Sequence, residues 1–210
     1  MFTGPSTYAS EVDSIMLFIV ASSVALLLII TVVMIYFVFR YNKKRNPVAE
    51  NIEGNTPLEI LWIAIPTVLV MFMFYYGYVA FADIRAVPAN SLKVKVLARM
   101  WSYSYEYENG KQSDTLFLPN GRATKLDLIS ADVNHGFFVP AFRIKEDVIA
   151  GKINYLVLNP KELGSFDIAC SEYCGLNHSL MYSKLVVIPD ADFKKWLSDM
   201  PKDTIKIAGK

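Results

Sequence analysis

Cysteine and histidine are almost missing from this chain: two of each in 210 residues. Any site built on soft ligands must use those four side chains. Net charge is missing as well, since 21 Lys+Arg against 20 Asp+Glu leave +1, and from residue 83 onward 17 basic residues face 15 acidic ones. No nucleic-acid partner is expected from so balanced a chain. No Lys or Arg precedes residue 14, and the apolar stretch that follows is about twice the length of a leader's h-region, so a retained segment is expected rather than a cleaved signal. No C-x-x-C-H occurs, so a c-type haem attached to this sequence is not expected either.

What the chain has instead is uncharged length. Residues 14–39 give 26 positions without a charge and 60–82 another 23, each enough to cross about 30 Å of hydrocarbon as a helix. Between them Arg40, Lys43, Lys44 and Arg45 put four positive charges into six residues against the end of the first span. By the positive-inside rule that loop is cytoplasmic. The expectation is an extracytoplasmic tail over 1–13, a transmembrane helical hairpin over 14–82 with its cytoplasmic basic loop at 40–55, and an extracytoplasmic domain over 83–210. The chain is thus expected in the plasma membrane, in contact with lipid, with both termini outside. Thr56-Pro57-Leu58-Glu59 reads as a capping box opening the second span, with Thr56 as N-cap and Glu59 at N3. Pro66 inside that span is expected to bend it, and Tyr75, Tyr76 and Tyr78 suit its outer interface.

From Leu92 the period changes to two: Leu92, Val94, Val96 and Ala98 alternate with Lys93, Lys95, Leu97 and Arg99, the pattern of a half-buried strand. Further apolar runs at 125–130, 155–158, 166–169 and 183–188 are separated by turn signals such as Asn109-Gly110, Pro119-Asn120-Gly121 and Asn159-Pro160. Together they predict an all-β Greek-key sandwich or barrel. Trp101, Tyr103, Tyr105 and Tyr107 share one face if their run is extended, as an aromatic strand packing inward would. Asp190 and Asp192, ahead of Phe193 and Trp196, read as the acidic first turn of a short amphipathic helix rather than as a carboxylate pair. The tail after 201 reads as frayed.

Three of the four scarce residues fall within one short stretch. Residues 170–181 read Cys-Ser-Glu-Tyr-Cys-Gly-Leu-Asn-His-Ser-Leu-Met, and Cys174, His178 and Met181 alone have the spacing of a mononuclear blue-copper ligand loop. A second thiolate at Cys170 changes the count. With two sulfurs able to bridge and a second imidazole available only from His135, two ions could share the sulfurs and take one histidine each. Met181 and a backbone carbonyl near Glu172 would be the weak remaining ligands. A shell closed by thiolates and imidazoles suits electron transfer better than bond-making. Zinc fits less well, because zinc fingers pair their histidines three to five residues apart and these lie 43 apart. A Cys170–Cys174 disulfide would close a very short loop and stabilise little.

The motif C-S-E-Y-C-G-x-N-H-S-x-M looks like the CuA loop of cytochrome c oxidase subunit II, and Asp-Val-Asn-His at 132–135 is similar to the segment bringing that family's first histidine. The resemblance covers the hairpin and the outer domain. It implies a cupredoxin-like fold and a binuclear copper centre (CuA, two Cu), with His135 and Met181 on one copper, His178 and the Glu172 carbonyl on the other, and Cys170 and Cys174 bridging. It also implies Mg at the interface with subunit I through Glu172. Trp101 matches the exposed tryptophan through which electrons enter from cytochrome c. The family's W-x-W-x-Y-E-Y is, however, W-S-Y-S-Y-E-Y here, with Tyr103 at the second Trp. N-T-P-L-E-I-L-W-I-A-I-P resembles the start of the family's second helix, whose Glu, here Glu59, lies at the cytoplasmic mouth of a proton-uptake channel. The implied activity is that of an oxidase's electron-entry subunit: single electrons from a c-type cytochrome pass to haem in subunit I, which with other oxidase subunits reduces oxygen to water. Three other uses share parts of the pattern: a quinol oxidase subunit II, whose copper ligands are usually missing; a copper-bearing subunit of a nitric oxide reductase, distinguished only by its catalytic subunit; and a copper-delivery protein, whose ligands must let go. Glu106, Glu108 and Asp132 are expected to form a local acidic cluster able to steer a basic donor.

Overall fold

The computed structural model describes residues 4–48, 51 and 53–199. The tail expected to fray after 201, the first three residues and positions 49, 50 and 52 of the connector lie outside the described residues. The chain forms two compact units, one from residues 12–83 and one that joins the N-terminal segment to everything from 84 onward.

In the first unit the charge-free stretches are helices, α1 (Ala9–Arg40) and α2 (Thr56–Arg85). Both are apolar around their circumference, with Leu27, Ile30 and Val32 on one and Ile63, Met71 and Phe74 on the other all exposed. Helices of this kind are stable in lipid, where every backbone group is already paired within the helix. Two of their hydroxyls are paired as well: Ser23 donates to the Ile19 carbonyl at 2.8 Å and Thr67 to that of Ile63 at 2.7 Å. After α1, Asn42 gathers the basic loop into a turn, donating to the Phe39 carbonyl and accepting from the Lys44 and Arg45 amides.

The start of α2 departs from the expected capping box by one residue. Asn55 is the cap: its Oδ1 accepts the Leu58 amide at 3.1 Å, and Glu59 Oε1 accepts the Asn55 amide at 3.3 Å. Asparagine outranks threonine as an N-cap, so it takes the position and Thr56 becomes the first residue of the helix.

The N-terminal segment, expected only as a tail, is built into the second unit. Thr7 donates its amide to the Asn159 carbonyl at 3.2 Å, Lys161 donates to Pro5 at 2.8 Å, and the buried Ser6 hydroxyl donates to Phe142 O while accepting from the Ala9 amide. Residues that bond in this way must lie on one side of any membrane.

Ten strands follow among the described residues: β1 (Leu92–Arg99), β2 (Ser102–Tyr107), β3 (Gln112–Ser113), β4 (Leu116–Pro119), β5 (Thr124–Ser130), β6 (His135–Val139), β7 (Ile144–Val148), β8 (Asn154–Leu158), β9 (Gly164–Ala169) and β10 (Tyr182–Ile188). They form two five-stranded sheets, in the orders β3-β2-β1-β5-β8 and β4-β10-β9-β6-β7. Most pairs are antiparallel; β1 with β5 and β4 with β10 are parallel, as crossovers between sheets require. The period-two stretch behaves as read, burying Leu92, Val94, Val96 and Ala98 against Leu126, Leu128, Phe137 and Val139 of the sandwich core. Tyr103, Tyr105 and Tyr107 point inward from β2, whereas Trp101 precedes the strand.

The last element, α3 (Asp190–Ser198), is the expected amphipathic helix, with Asp190 and Asp192 in its first turn and Phe193 buried. Trp196 packs on Phe117 and Tyr107, and the Lys111 ammonium lies over its ring at 4.1 Å while donating to the Trp196 and Asp199 carbonyls. A cation on the helix's last carbonyls satisfies acceptors that have no intrahelical donor.

Candidate metal centre

The ligand loop is held at both ends by sheet pairing. β9 and β10 are antiparallel neighbours with Ala169 opposite Tyr182, and the Cys170 amide donates to the Met181 carbonyl at 3.1 Å, so the chain leaves and re-enters the sheet at one place. Between these points it turns through Gly175, whose φ of +113° disfavours any side chain, and through one 3-10 turn at His178–Leu180. The result folds the donors inward. Cys174 Sγ is 3.7 Å from Cys170 Sγ, 3.6 Å from His178 Nδ1 and 3.8 Å from Met181 Sδ, while Cys170 Sγ lies 3.2 Å from the Glu172 carbonyl oxygen. Both cysteines are free thiols.

The remaining imidazole comes from the first residue of β6. His135 is 0% exposed, and a ring nitrogen lies with both sulfurs in a group whose atoms are all within 4.8 Å of one another. Its approach depends on the next residue: a Cβ on Gly136 would meet the Ser171 hydroxyl oxygen at 2.1 Å and the Ser171 and Glu172 backbone nitrogens at 3.0 Å. Only glycine lets β6 lie this close to the cysteine loop.

The other face of the His135 ring is occupied by a carboxylate. Nε2 is 2.8 Å from Asp132 Oδ1, an arrangement in which Nε2–H donates and Nδ1 keeps its lone pair. That Nδ1 is buried and has no hydrogen-bond partner in the protein. A buried acceptor left unpaired is costly, and a carboxylate behind a histidine is the usual means of orienting a metal ligand. Asp132 also accepts from the Met100 and Val133 amides. Desolvation opposes its ionisation, but the bonds from Met100, His135 and Val133 outweigh it and hold the carboxyl below the usual range. The stability this confers is present above the ordinary carboxylate pKa and is lost as pH falls through the lowered one. At Cys174, burial first and the neighbouring Cys170 second push the thiol up to about 11. A metal entering here must therefore displace a proton. Two thiols, two imidazoles, a thioether and one carbonyl form a set that fits a soft, thiophilic metal.

Other residues singled out from sequence fall in different places. Trp101 is half-buried rather than exposed, as the resemblance had implied. Its ring packs over Gly175, where an added Cβ would touch it at 3.5 Å, directly beside Cys174. The Glu172 side chain points to the Lys145 ammonium at 3.4 Å. Glu59 belongs to the helical unit and is not among these donors. Two residues of the expected acidic cluster are already engaged: Glu106 pairs with Lys95 across the sheet at 2.9 Å, and Asp132 accepts from the Met100 amide and lies on His135. Asp132 as an orienting group and Gly136 as a clearance were not read from the sequence. A carboxylate three residues before a candidate ligand, and a glycine directly after it, were the available signals.

Known proteins match across this same territory. The family model described as cytochrome C oxidase subunit II, periplasmic domain, matches residues 111–188, and the corresponding transmembrane-domain model matches 2–78. Cytochrome c oxidase subunit 2 of Alkalihalophilus pseudofirmus is 31% identical over 183 residues, which is 81% of this chain but 54% of that protein. Cytochrome c oxidase subunit 2 of Cereibacter sphaeroides is 24% identical over 97% of this chain and 80% of its own length. The chain thus spans about half of one relative and most of another. Among solved structures, the periplasmic domain of subunit II of cytochrome oxidase (CoxB) of Bradyrhizobium japonicum is 29% identical, with a TM-score of 0.50 over 53% of this chain and 94% of that one. With two apolar helices, a cupredoxin-like sandwich and models of both parts matching in order, the chain belongs to the cytochrome c oxidase subunit II family.

Proposed function

We propose that this chain is the electron-entry subunit of a haem-copper oxidase, accepting single electrons from a c-type cytochrome outside the membrane and delivering them to haem in subunit I, where oxygen is reduced to water. The observation that carries this reading is the convergence of six donors, His135, Cys170, the Glu172 carbonyl, Cys174, His178 and Met181, on one buried spot at the end of the sandwich. A binuclear copper centre held by these residues would supply one-electron acceptance and release with little rearrangement. The protein's part is to hold the donors before metal arrives. Cys170 and Cys174 stand as a pair, Asp132 fixes the His135 tautomer, and the Cys170–Met181 backbone bond closes the loop. Such a closed, oriented set favours retention over exchange, which speaks against copper delivery.

In this reading the basic loop at 40–45 faces the cytoplasm. The bonds of residues 5–7 to the sandwich hold the N-terminal segment on the same side as the centre, and the proposed orientation makes that side the outer one. Glu172 and its carboxylate remain the proposed contact to Mg at the subunit I interface.

The direct test is copper per chain and the electron paramagnetic resonance spectrum of the full chain in detergent. Two coppers sharing one unpaired electron are expected; one copper, or coupling to a single copper nucleus, overturns the proposal.

Glu59 serves two compatible uses, a helix cap and a proton-collecting group at the cytoplasmic mouth. Substitution separates them. Glu59→Gln keeps an oxygen that can accept the Asn55 amide, so a capping role leaves turnover unchanged in Gln and costs only stability in Ala. A proton-uptake role makes Gln and Ala equally harmful, since neither exchanges a proton. We expect partial loss of oxidase turnover in both, measured in the assembled complex with subunit content and copper spectrum as controls; parental turnover in Gln removes Glu59 from the proton path.

A further inference from the structure

From 84 to 199 the sequence holds four sulfur atoms, in Met100, Cys170, Cys174 and Met181. Three belong to the donor set and the fourth does not. Cys174 is 3% and Met181 0% exposed, and Cys170 is half-buried, whereas Met100 is exposed at 44%. Its side chain leans on the ligand loop: a Cβ added at Gly175, the residue after Cys174, would lie 3.7 Å from the Met100 sulfur and 3.5 Å from the Trp101 ring. The Asp132 carboxylate accepts the Met100 amide at 2.7 Å and sets a negative charge beside this residue. His135, in the donor set, is 0% exposed and its Nδ1 has no partner. An exposed thioether thus stands against the loop that encloses a buried, unsatisfied set of soft donors.

We propose that Met100 is an entry ligand for monovalent copper: its thioether takes Cu(I) at the surface and passes it across Gly175 to Cys174 and the donors around it, without staying in the finished site. The inference rests on the reading that this site holds copper. A set closed enough to retain a metal is poorly open to receive one, so an outer group must meet the ion first. A thioether suits that step because it has no proton to lose and, as a soft and weak donor, selects Cu(I) while letting it go. The unbranched methionine side chain, with three rotatable bonds, can follow the ion inward. In the transfer the copper keeps its charge. Its bond to the Met100 sulfur is exchanged for one to the Cys174 sulfur, and the thiol proton leaves to solvent.

The test uses the full chain in detergent, metal-free and with its thiols reduced, as parent, Met100→Leu and Leu176→Ala. The probe is Cu(I) held by bicinchoninate, whose visible band falls as copper passes to the protein. Met100→Leu conserves volume and removes the sulfur. It is expected to take up copper about tenfold more slowly than the parent, the low end of the roughly 10–100-fold that changes around a metal site cost, and to reach the same final copper per chain. Leu176→Ala trims a side chain that is 88% exposed directly after Gly175 and removes no sulfur, so it should load at the parental rate. Parental loading in Met100→Leu overturns the inference while leaving the copper reading intact, and so does equal slowing in Leu176→Ala, which would make the surface rather than the thioether responsible. A lower final copper content in Met100→Leu also overturns it, because Met100 would then be a resident ligand. A parent that takes up no copper removes the reading of the site and this inference with it. Should Met100→Leu fail to fold, Met100→Gln replaces it: slower loading to the same content supports the proposal, and the parental rate overturns it.

Discussion

Cys174→Ser is expected to leave a folded chain with no binuclear copper signature and with copper affinity reduced by more than the roughly 10–100-fold that outer-shell changes cost. The reason is position. Cys174 Sγ is the atom that Cys170, His178 and Met181 all approach, within 3.6 to 3.8 Å, so a single sulfur touches donors of both proposed ions. A hydroxyl there is harder, shorter in reach and protonated at any ordinary pH, and it cannot bridge. Because the side chain is only 3% exposed, the added hydroxyl also costs about 1–3 kcal/mol unless it finds a partner. A melting curve should therefore accompany the copper assay. Met181→Leu provides the contrast: a near volume-conserving swap at a buried position, costing under about 1.5 kcal/mol, it removes only a weak thioether donor. Two coppers should remain, with an altered spectrum. A two-copper signature surviving in Cys174→Ser would dismiss the bridging arrangement.

Trp101→Phe should slow reduction of the centre by a reduced c-type cytochrome by at least about tenfold, a barrier increase of ~1.4 kcal/mol, with the copper spectrum nearly unchanged. The indole packs on Gly175, the residue after Cys174, and the backbone before it is held by the Met100 amide's bond to Asp132, the same carboxylate that orients His135. The ring is thereby fixed beside the ligands at the end of the sandwich, with Met100 exposed next to it. Stopped-flow mixing measures this directly, and a parental rate would assign Trp101 to packing alone. Salt should alter the rate only moderately, given 17 basic against 15 acidic residues from position 83 on and the engagement of Glu106 and Asp132 within the protein. Exposed charges this balanced give little long-range steering.

The helical unit and much of the sandwich could be read directly, because their signals are local. A charge-free run of 26 residues has few folds open to it, and Leu92, Val94, Val96 and Ala98 can share a face only if the chain is extended. β3, β4, β6 and β7 are not expected from the sequence. Each is two to five residues long, and β6 contains Gly136, which weakens strand propensity locally and is needed only because another segment's backbone passes against it. The N-cap of α2 lies one residue before the expected one because Asn55 and Thr56 are adjacent capping residues, of which asparagine is the stronger.

The same division runs through the site. The scarcity of soft ligands, their spacing in the 170–181 loop and the need for a second imidazole from His135 were properties of the sequence alone, since a metal's choice of donor atoms is chemistry that residue types already specify. Whether those donors meet, and what stands behind them, was decided by the tertiary structure. The strand order brings β6 beside β9, and the antiparallel β9–β10 pair returns the loop to its starting point. That folding sets Asp132 behind His135, Trp101 over Gly175 and Tyr103 against Gly136. These are contacts between residues as many as 74 positions apart, and no local periodicity encodes them; they exist only once two sheets have closed on a common core.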